Sequence, residues 1–265
     1  MNRLIGSIVI VLLWSCMDPP EDFELDNQYD PQNPNYIAPV TTIASGPSEG
    51  EKISNEVATF TWDGNDETME FKIQFDGALV QDWGGLKTYT FNYIDEGGHA
   101  FSVQGRYANE DTSLTVHINF IVDAVEGPAL IFLPRRHIAT QGQSVSFEII
   151  AEEVEDLTAT EFVLRFDQNL VTIDSINAGS MFKFNQDFIF HEKIDNSAGN
   201  AELLIGLLGG KEPAFSGTGS LAKIYLTKKT TTETTIIFDG SETFRGPLNN
   251  IIEINTTIGG LISNQ

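Results

Sequence analysis

The sequence predicts an all-β protein built from two β-sandwich domains, carried behind a leader and an acidic linker. Three observations predict it. From Pro39 onward, short runs recur in which apolar and polar residues alternate, and period-two alternation marks a half-buried strand. Gly, Asn and Asp separate those runs, and these residues tolerate the dihedrals of tight turns. At Glu126-Gly127-Pro128 the pattern breaks and then resumes, which divides the strands into two sets. With 265 residues and 41% hydrophobic content, the chain has length for a targeting segment and two domains of ordinary size.

The chain starts MNRLIGSIVIVLLWSC, with Arg3 ahead of an apolar run from Leu4 to Trp14. That run is too short to cross a bilayer as a mature helix, and residues 1–15 are predicted to be a secretory signal. Its end, Leu13-Trp14-Ser15-Cys16, resembles a bacterial lipobox, although Trp14 stands where a small residue is usual. The resemblance implies lipidation of Cys16 and an outer-membrane protein anchored by lipid at the cell surface; an ordinary signal peptide or an uncleaved anchor is the alternative. Cys16 is the only cysteine, which leaves no thiol for a disulfide, a redox pair or a nucleophile. Loss of Arg3 with the leader takes the formal charge from −23 to −24. Such a surface repels phosphates, so nucleic acid is excluded as a partner.

Residues 16–38 are rich in Asp, Glu, Asn and Pro and are expected to form an extended, disordered tether. Asp18, Glu21 and Asp22, close behind Cys16, resemble the export signals of surface lipoproteins in Bacteroidota-type bacteria. A solvated linker with no address is the plain alternative.

Residues 39–125 form the first predicted domain. Its strand patterns include ATFTW (58–62), EFKIQF (70–75), TYTFNY (88–93), HAFSVQGRY (99–107) and HINFIV (117–122). Six or seven such strands in under a hundred residues predict a sandwich. The segments GPSEG, TFTW and EGGHAFSVQGRY resemble bacterial Ig-like or fibronectin-III-like modules, which implies a spacer with Trp62 in its core. Asp63-Gly64-Asn65-Asp66-Glu67 alternates oxygen ligands but lacks the central Gly and distal Glu of an EF-hand loop. His99 and His117 are lone strand histidines without neighbouring ligands. Trp83 and Tyr89 either stack on sugars or pack into core and turns.

The second predicted domain runs over residues 129–263, with strand patterns at 129–133, 144–151, 159–166, 170–178, 187–194, 201–208, 219–227, 234–238 and 250–262. Roughly nine strands predict a jelly-roll-like sandwich. The clearest stretch is ATEFVLRFDQNL (159–170). It sets Phe162, Leu164 and Phe166 on one side of a strand and Glu161, Val163 and Arg165 on the other.

The succession QGQSVSFEI, EFVLRFDQNL, NAGSMF, SGTGSLAKIYL, ETFRG and GGLI resembles a cohesin domain over essentially all of residues 129–263. Cohesins are sandwiches that bind the small calcium-loaded dockerin modules borne by polysaccharide-degrading enzymes, and their fold family includes carbohydrate-binding modules. The resemblance implies a partner-binding sheet face formed by Ala159, Glu161, Val163 and Arg165, with Leu203 and Ile205 from the neighbouring strand. Ala159 departs from the polar residue the family often carries there. The run from Leu203 to Leu208 is either split into one buried and one exposed set, or buried on both faces. Gly217 and Gly219 are expected to supply turn dihedrals, and Gly259 and Gly260 a bend or bulge in the last strand.

No catalytic constellation is predicted. Glu152, Glu153, Glu155 and Asp156 are expected to lie in a solvated turn between strands, and no GxSxG elbow is present. His137 beside Arg135 and Arg136 either captures an anion or belongs to a surface charge cluster. His191 and Glu192 are too few for a metal site. No cofactor and no metal are expected. The leading expectation is therefore a non-catalytic surface lipoprotein that binds a dockerin-like protein partner during polysaccharide use. Direct binding of glycan is the alternative, lowered because Tyr225 is the only Trp or Tyr in the second domain.

Overall fold

The computed structural model describes residues 27–183, 187–208 and 214–264. The expected signal segment, Cys16 and the acidic residues close behind it lie outside them.

The first set of strands comprises β1 (Thr41–Ser45), β2 (Lys52–Ile53), β3 (Ala58–Gly64), β4 (Glu70–Phe75), β5 (Ala78–Gly84), β6 (Thr88–Phe91), β7 (Gly97–Arg106) and β8 (Val116–Val122). They pair in two sheets, β1-β3-β6 and β2-β8-β7-β4-β5. Alternation in β3 sends Ala58, Phe60 and Trp62 inward, where Phe71, Phe101 and Phe120 meet them. The Phe60 and Phe101 rings stack with centroids 4.0 Å apart, so aromatic packing dominates this core. Trp62 is in the core, as expected from the resemblance of TFTW and its neighbouring segments.

Part of the expected tether is packed rather than free. The Tyr29 ring lies 4.9 Å from that of Tyr107, and its hydroxyl donates to Asp66 at 2.9 Å. Tyr36 donates to Asp111 at 3.2 Å, and Asn65 Nδ2 donates to the Ala38 carbonyl at 3.0 Å. Residues 27–38 therefore correct the expectation of a disordered stretch reaching residue 38. Two tyrosines supply apolar surface that the polar average composition conceals.

The second set comprises β9 (Ala129–Leu133), β10 (Arg136–Ile138), β11 (Ser144–Leu157), β12 (Ala159–Phe166), β13 (Val171–Ala178), β14 (Phe188–Asp195), β15 (Asn200–Leu207), β16 (Phe215–Lys228), β17 (Thr234–Phe238), β18 (Thr243–Arg245), β19 (Ile251–Ile252), β20 (Thr256–Ile258) and β21 (Gly260–Ser263). One sheet runs β10-β21-β17-β12-β15-β14, with β18 and β19 added beside β12; the other runs β13-β16-β11-β9-β20. Among the described residues the chain is all-β apart from one 3₁₀ turn at Pro247–Asn249. Between the two sheets lies an apolar core in which Phe132, Phe147, Phe162, Leu164, Leu203, Ile205, Ile224 and Phe244 are almost completely enclosed.

Three local expectations are corrected here. The acidic run is not a turn: β11 continues through it, burying Val154 and Leu157. Its pairing with β16 shifts register between Ala151 and Val154 and again before Leu157, where Glu153 (φ 49°) and Asp156 (φ 52°) are left-handed. These bulges reset the alternation, which is why the strand is invisible to a period-two pattern. Arg135 is neither an anion trap nor a surface residue, being 7% exposed and ion-paired with Glu56. Among the glycines, Gly217 has the positive φ (114°) expected of it. Gly260 instead admits a neighbour, since a Cβ there would come within 2.8 Å of the Phe132 ring.

Candidate functional site

Strand β12 lies near the middle of the larger sheet because both of its edges are occupied, by β15 on one side and by β17 and β18 on the other. Phe162, Leu164 and Phe166 fill the core, while Glu161 and Arg165 are exposed and Ala159 and Val163 half-buried. Pairing with β15 is antiparallel, so residues that sit opposite each other share a face. Ala159 stands opposite Gly206, Glu161 opposite Leu204 and Val163 opposite Glu202. The outward residues of β15 are therefore Glu202 and Leu204.

This corrects the expectation for Leu203 and Ile205. Each is 1% exposed and belongs to the core. The run is split by alternation, with Leu204 (40% exposed) outside, so of its two predicted arrangements the structure adopts the one with an open strip.

Register carries the face outward across the sheet. Ile189, His191 and Lys193 of β14 stand opposite Gly206, Leu204 and Glu202, while Thr243 and Arg245 of β18 stand opposite Glu161 and Ala159. Successive rows read Ile189–Gly206–Ala159–Arg245, His191–Leu204–Glu161–Thr243 and Lys193–Glu202–Val163. Ile237 of β17 lies opposite Arg165 and is half exposed. The result is an open face of separated apolar side chains, Ile189, Leu204, Val163 and Ile237, with charged residues between them.

The charges are partly matched within the face. Lys193 Nζ lies 3.3 Å from Glu202, and Arg165 donates to Asp239 at 3.1 Å. The Ser241 hydroxyl, followed by Arg165, holds the Asp239 carboxyl below its usual range. Arg245 makes no side-chain ion pair or hydrogen bond among the described residues. Its side chain lines a depression of about 340 Å³ together with Ala159, Leu207, Pro247 and Leu248. Leu248 is fully exposed in a left-handed conformation, φ 58° and ψ 22°, at the rim.

Sequence patterns bring Glu161, Val163 and Arg165 to this face but miss Ile189, Leu204, Ile237 and Leu248. Cross-strand register is what assembles them, and it joins residues as far apart in sequence as Ala159 and Arg245. The other candidates lie elsewhere. Trp83 is half-buried on the first set of strands, with the Arg106 guanidinium 4.6 Å from its ring. His99 bonds Asp76 and the Asp95 carbonyl, each at 2.8 Å. Asp63 receives Lys87, and Asp66 receives Thr68 and Tyr29. Among the described residues, no group of three or more His, Cys, Asp or Glu is placed to hold a metal ion.

Fold and face together define a class: a β-sandwich that presents a mixed apolar and charged sheet surface. Residues 137–262 match the family model of the cohesin domain. The match spans slightly under half of the chain and speaks for the second set of strands. Among solved structures, the chain is similar to a type II cohesin domain from the cellulosome of Acetivibrio cellulolyticus, at 11% identity over 51% of this chain and 94% of that one, TM-score 0.46. It is also similar to the type I cohesin–dockerin complex Coh-OlpA–Doc918 of Clostridium thermocellum, at 14% identity over 52% and 98%, TM-score 0.45. A non-cellulosomal cohesin of the archaeon Archaeoglobus fulgidus aligns at 16% identity over 51% and 88%, TM-score 0.41. No curated protein matches the sequence.

Proposed function

We propose that the second domain is a docking module for a dockerin-like protein, held at the cell surface by a lipid on Cys16 and an Ig-like spacer, and used in polysaccharide breakdown. One observation carries the reading: within the stretch that matches the cohesin model, the larger sheet leaves an open face of spaced apolar side chains and charges. Interfaces of this composition suit protein partners, because a few buried apolar anchors supply affinity while charges around them set orientation. Ile189, Leu204 and Ile237 are the anchors, with Val163 between them. Arg245, without a side-chain partner among the described residues, is placed to take a carboxylate.

The face carries no Trp or Tyr. Tyr225 belongs to β16 in the opposite sheet, so the stacking platforms that glycan binding ordinarily uses are missing where they would be needed. The module does no chemistry in this reading; it brings an enzyme borne by the partner to the surface.

Titration of the chain against a panel of calcium-loaded dockerin modules by calorimetry tests the proposal. Saturable binding that Leu204→Asp abolishes is the expected result. Absence of binding across the panel, with retention of the chain on polysaccharide in affinity electrophoresis, would overturn it in favour of a glycan-binding module.

A further inference from the structure

We infer that the segment joining the two sets of strands is a fixed strut, pinned by Arg135, which holds the open sheet face at one orientation relative to the first domain. Independent domains on a short linker move relative to one another unless the interface between them is extensive or specifically locked. Here the linker is tied at successive positions. The Ala124 amide donates to the Glu96 carboxylate of the first domain, at 3.1 and 3.2 Å. Val125 is 3% exposed and joins Ile131 and Ile150 in a buried apolar cluster that Leu133 and Ile258 complete. The Gly127 amide donates to Glu153 at 3.1 Å, and Asn255 donates its backbone amide to the Pro128 carbonyl at 2.7 Å.

That apolar cluster explains an oddity of β9. Leu130 and Phe132 point into the main core, yet Ala129 and Ile131, on the other side of the same strand, are also enclosed. Ile131 stands opposite Ile150 of β11 and Ile258 of β20, so the three form a row on the outer side of the smaller sheet. Val125 covers it. The apolar part of the join therefore sits on the back of the sandwich, while Tyr93 and Arg135 reach the edge of the larger sheet, where they share a depression with Ile237; Ile189, Leu204 and Val163 lie away from it.

Arg135 supplies the directional part of the join. Its backbone amide donates to Asp95 at 2.6 Å and its guanidinium pairs with Glu56, so one residue of the second domain is gripped at main chain and side chain by two carboxylates of the first. Next to it, the Arg136 guanidinium lies 5.6 Å from the Tyr93 ring centre. A buried ion pair is weak as a source of stability but exacting in geometry, because displacement of either partner leaves a charge enclosed and unmatched. The apolar cluster supplies cohesion and the arginine supplies angle.

Double electron–electron resonance on the full chain tests this, with Cys16→Ser to remove the native thiol and labels at Leu79→Cys in β5 and Tyr225→Cys in β16. A single narrow distance distribution is expected. Adding Arg135→Ala or Val125→Ser should broaden it about twofold, as the domains regain the freedom of an unlocked linker. A broad or multimodal distribution in the chain with Arg135 and Val125 intact would overturn the inference, as would unchanged width in both variants. If Arg135→Ala does not fold, Glu56→Gln removes the same charge pairing from the first domain and must widen the distribution in the same sense.

Discussion

Lys228 offers the sharpest test of how the second sandwich is closed. Its side chain is fully enclosed at the end of β16, and its ammonium donates to the carbonyls of Ala139 and Ser263 at 3.0 and 3.1 Å and to Asn264 Oδ1 at 2.6 Å. Those oxygens belong to the segment after β10 and to the end of β21, so one cation ties the end of β16 to two other parts of the domain. Consider Lys228→Met, which keeps the length and apolar stem but removes the charge. The Ala139 carbonyl would then be buried without that donor, at a cost of about 1–3 kcal/mol, while the Ser263 carbonyl keeps the Ala139 amide at 3.1 Å. The methionine offsets part of this, since it spares the several kcal/mol required to keep an ammonium out of water. We expect a net loss of about 1 kcal/mol. With a urea slope of about 2 kcal/mol/M, the unfolding midpoint of the second domain should fall by about 0.5 M. Tryptophan fluorescence is unsuitable because that domain contains no Trp, so far-UV circular dichroism is the readout. A fall smaller than about 0.2 M would refute the reasoning, showing that the Ala139 carbonyl is satisfied without the lysine.

Other expectations follow from the same geometry. Leu204→Asp should leave the urea midpoint nearly unchanged while weakening partner binding at least about tenfold, whereas Leu203→Asp, one residue away, should unfold the domain by burying a carboxylate; equal effects of the two on stability would contradict the assigned faces. Tyr29→Ala should destabilise the first domain by about 1–3 kcal/mol, through loss of its ring contact and its bond to Asp66, measured by urea titration. For Asp239, whose carboxyl is held below its ordinary value by Ser241 and Arg165, the charged form is the one the fold favours. Its stabilising contribution is present above the unfolded-state value and disappears as pH falls through the lower folded-state value. Asp239→Asn should therefore cost stability at neutral pH and converge with the parent in strong acid, and a difference that persists there would exclude the ionic explanation.

Much of the fold is legible in the sequence, because each sandwich depends on alternation and turns that a linear reading detects. Phe162, Leu164 and Phe166 are inside, and Glu161 and Arg165 outside, as the β12 pattern requires. The failures have physical causes. Leu203-Leu204-Ile205 has no polar residue within it to fix its phase, so which residues face outward is settled by pairing with β12 and not by composition. The strand through Glu152–Asp156 is concealed by two bulges, each of which advances the alternation by an extra residue. Arg135 and the docked tyrosines of residues 27–38 were unreadable for another reason: their partners are distant in sequence, and a charge or an aromatic ring does not announce which surface it will meet. The open face itself combines both cases, with its central strand visible and its flanks assembled only by register.

Register also exposes how little separates this face from its opposite. If β15 slid by one residue, Leu204 would enter the core while Leu203 and Ile205 came out, exchanging apolar side chains for apolar side chains at small apparent loss. Glu202 is what forbids it, since the same slip would carry its carboxylate into the core and away from Lys193. The hairpin before it adds a mechanical stop: Gly199 takes φ 68° and lies so close to the Phe166 carbonyl that a Cβ would come within 2.4 Å of its oxygen. A single acidic residue and a single turn thus act as the phase reference for the whole strip. Replacing Glu202 with leucine would turn one well-defined surface into two competing ones, and loss of partner selectivity would then precede any loss of folding.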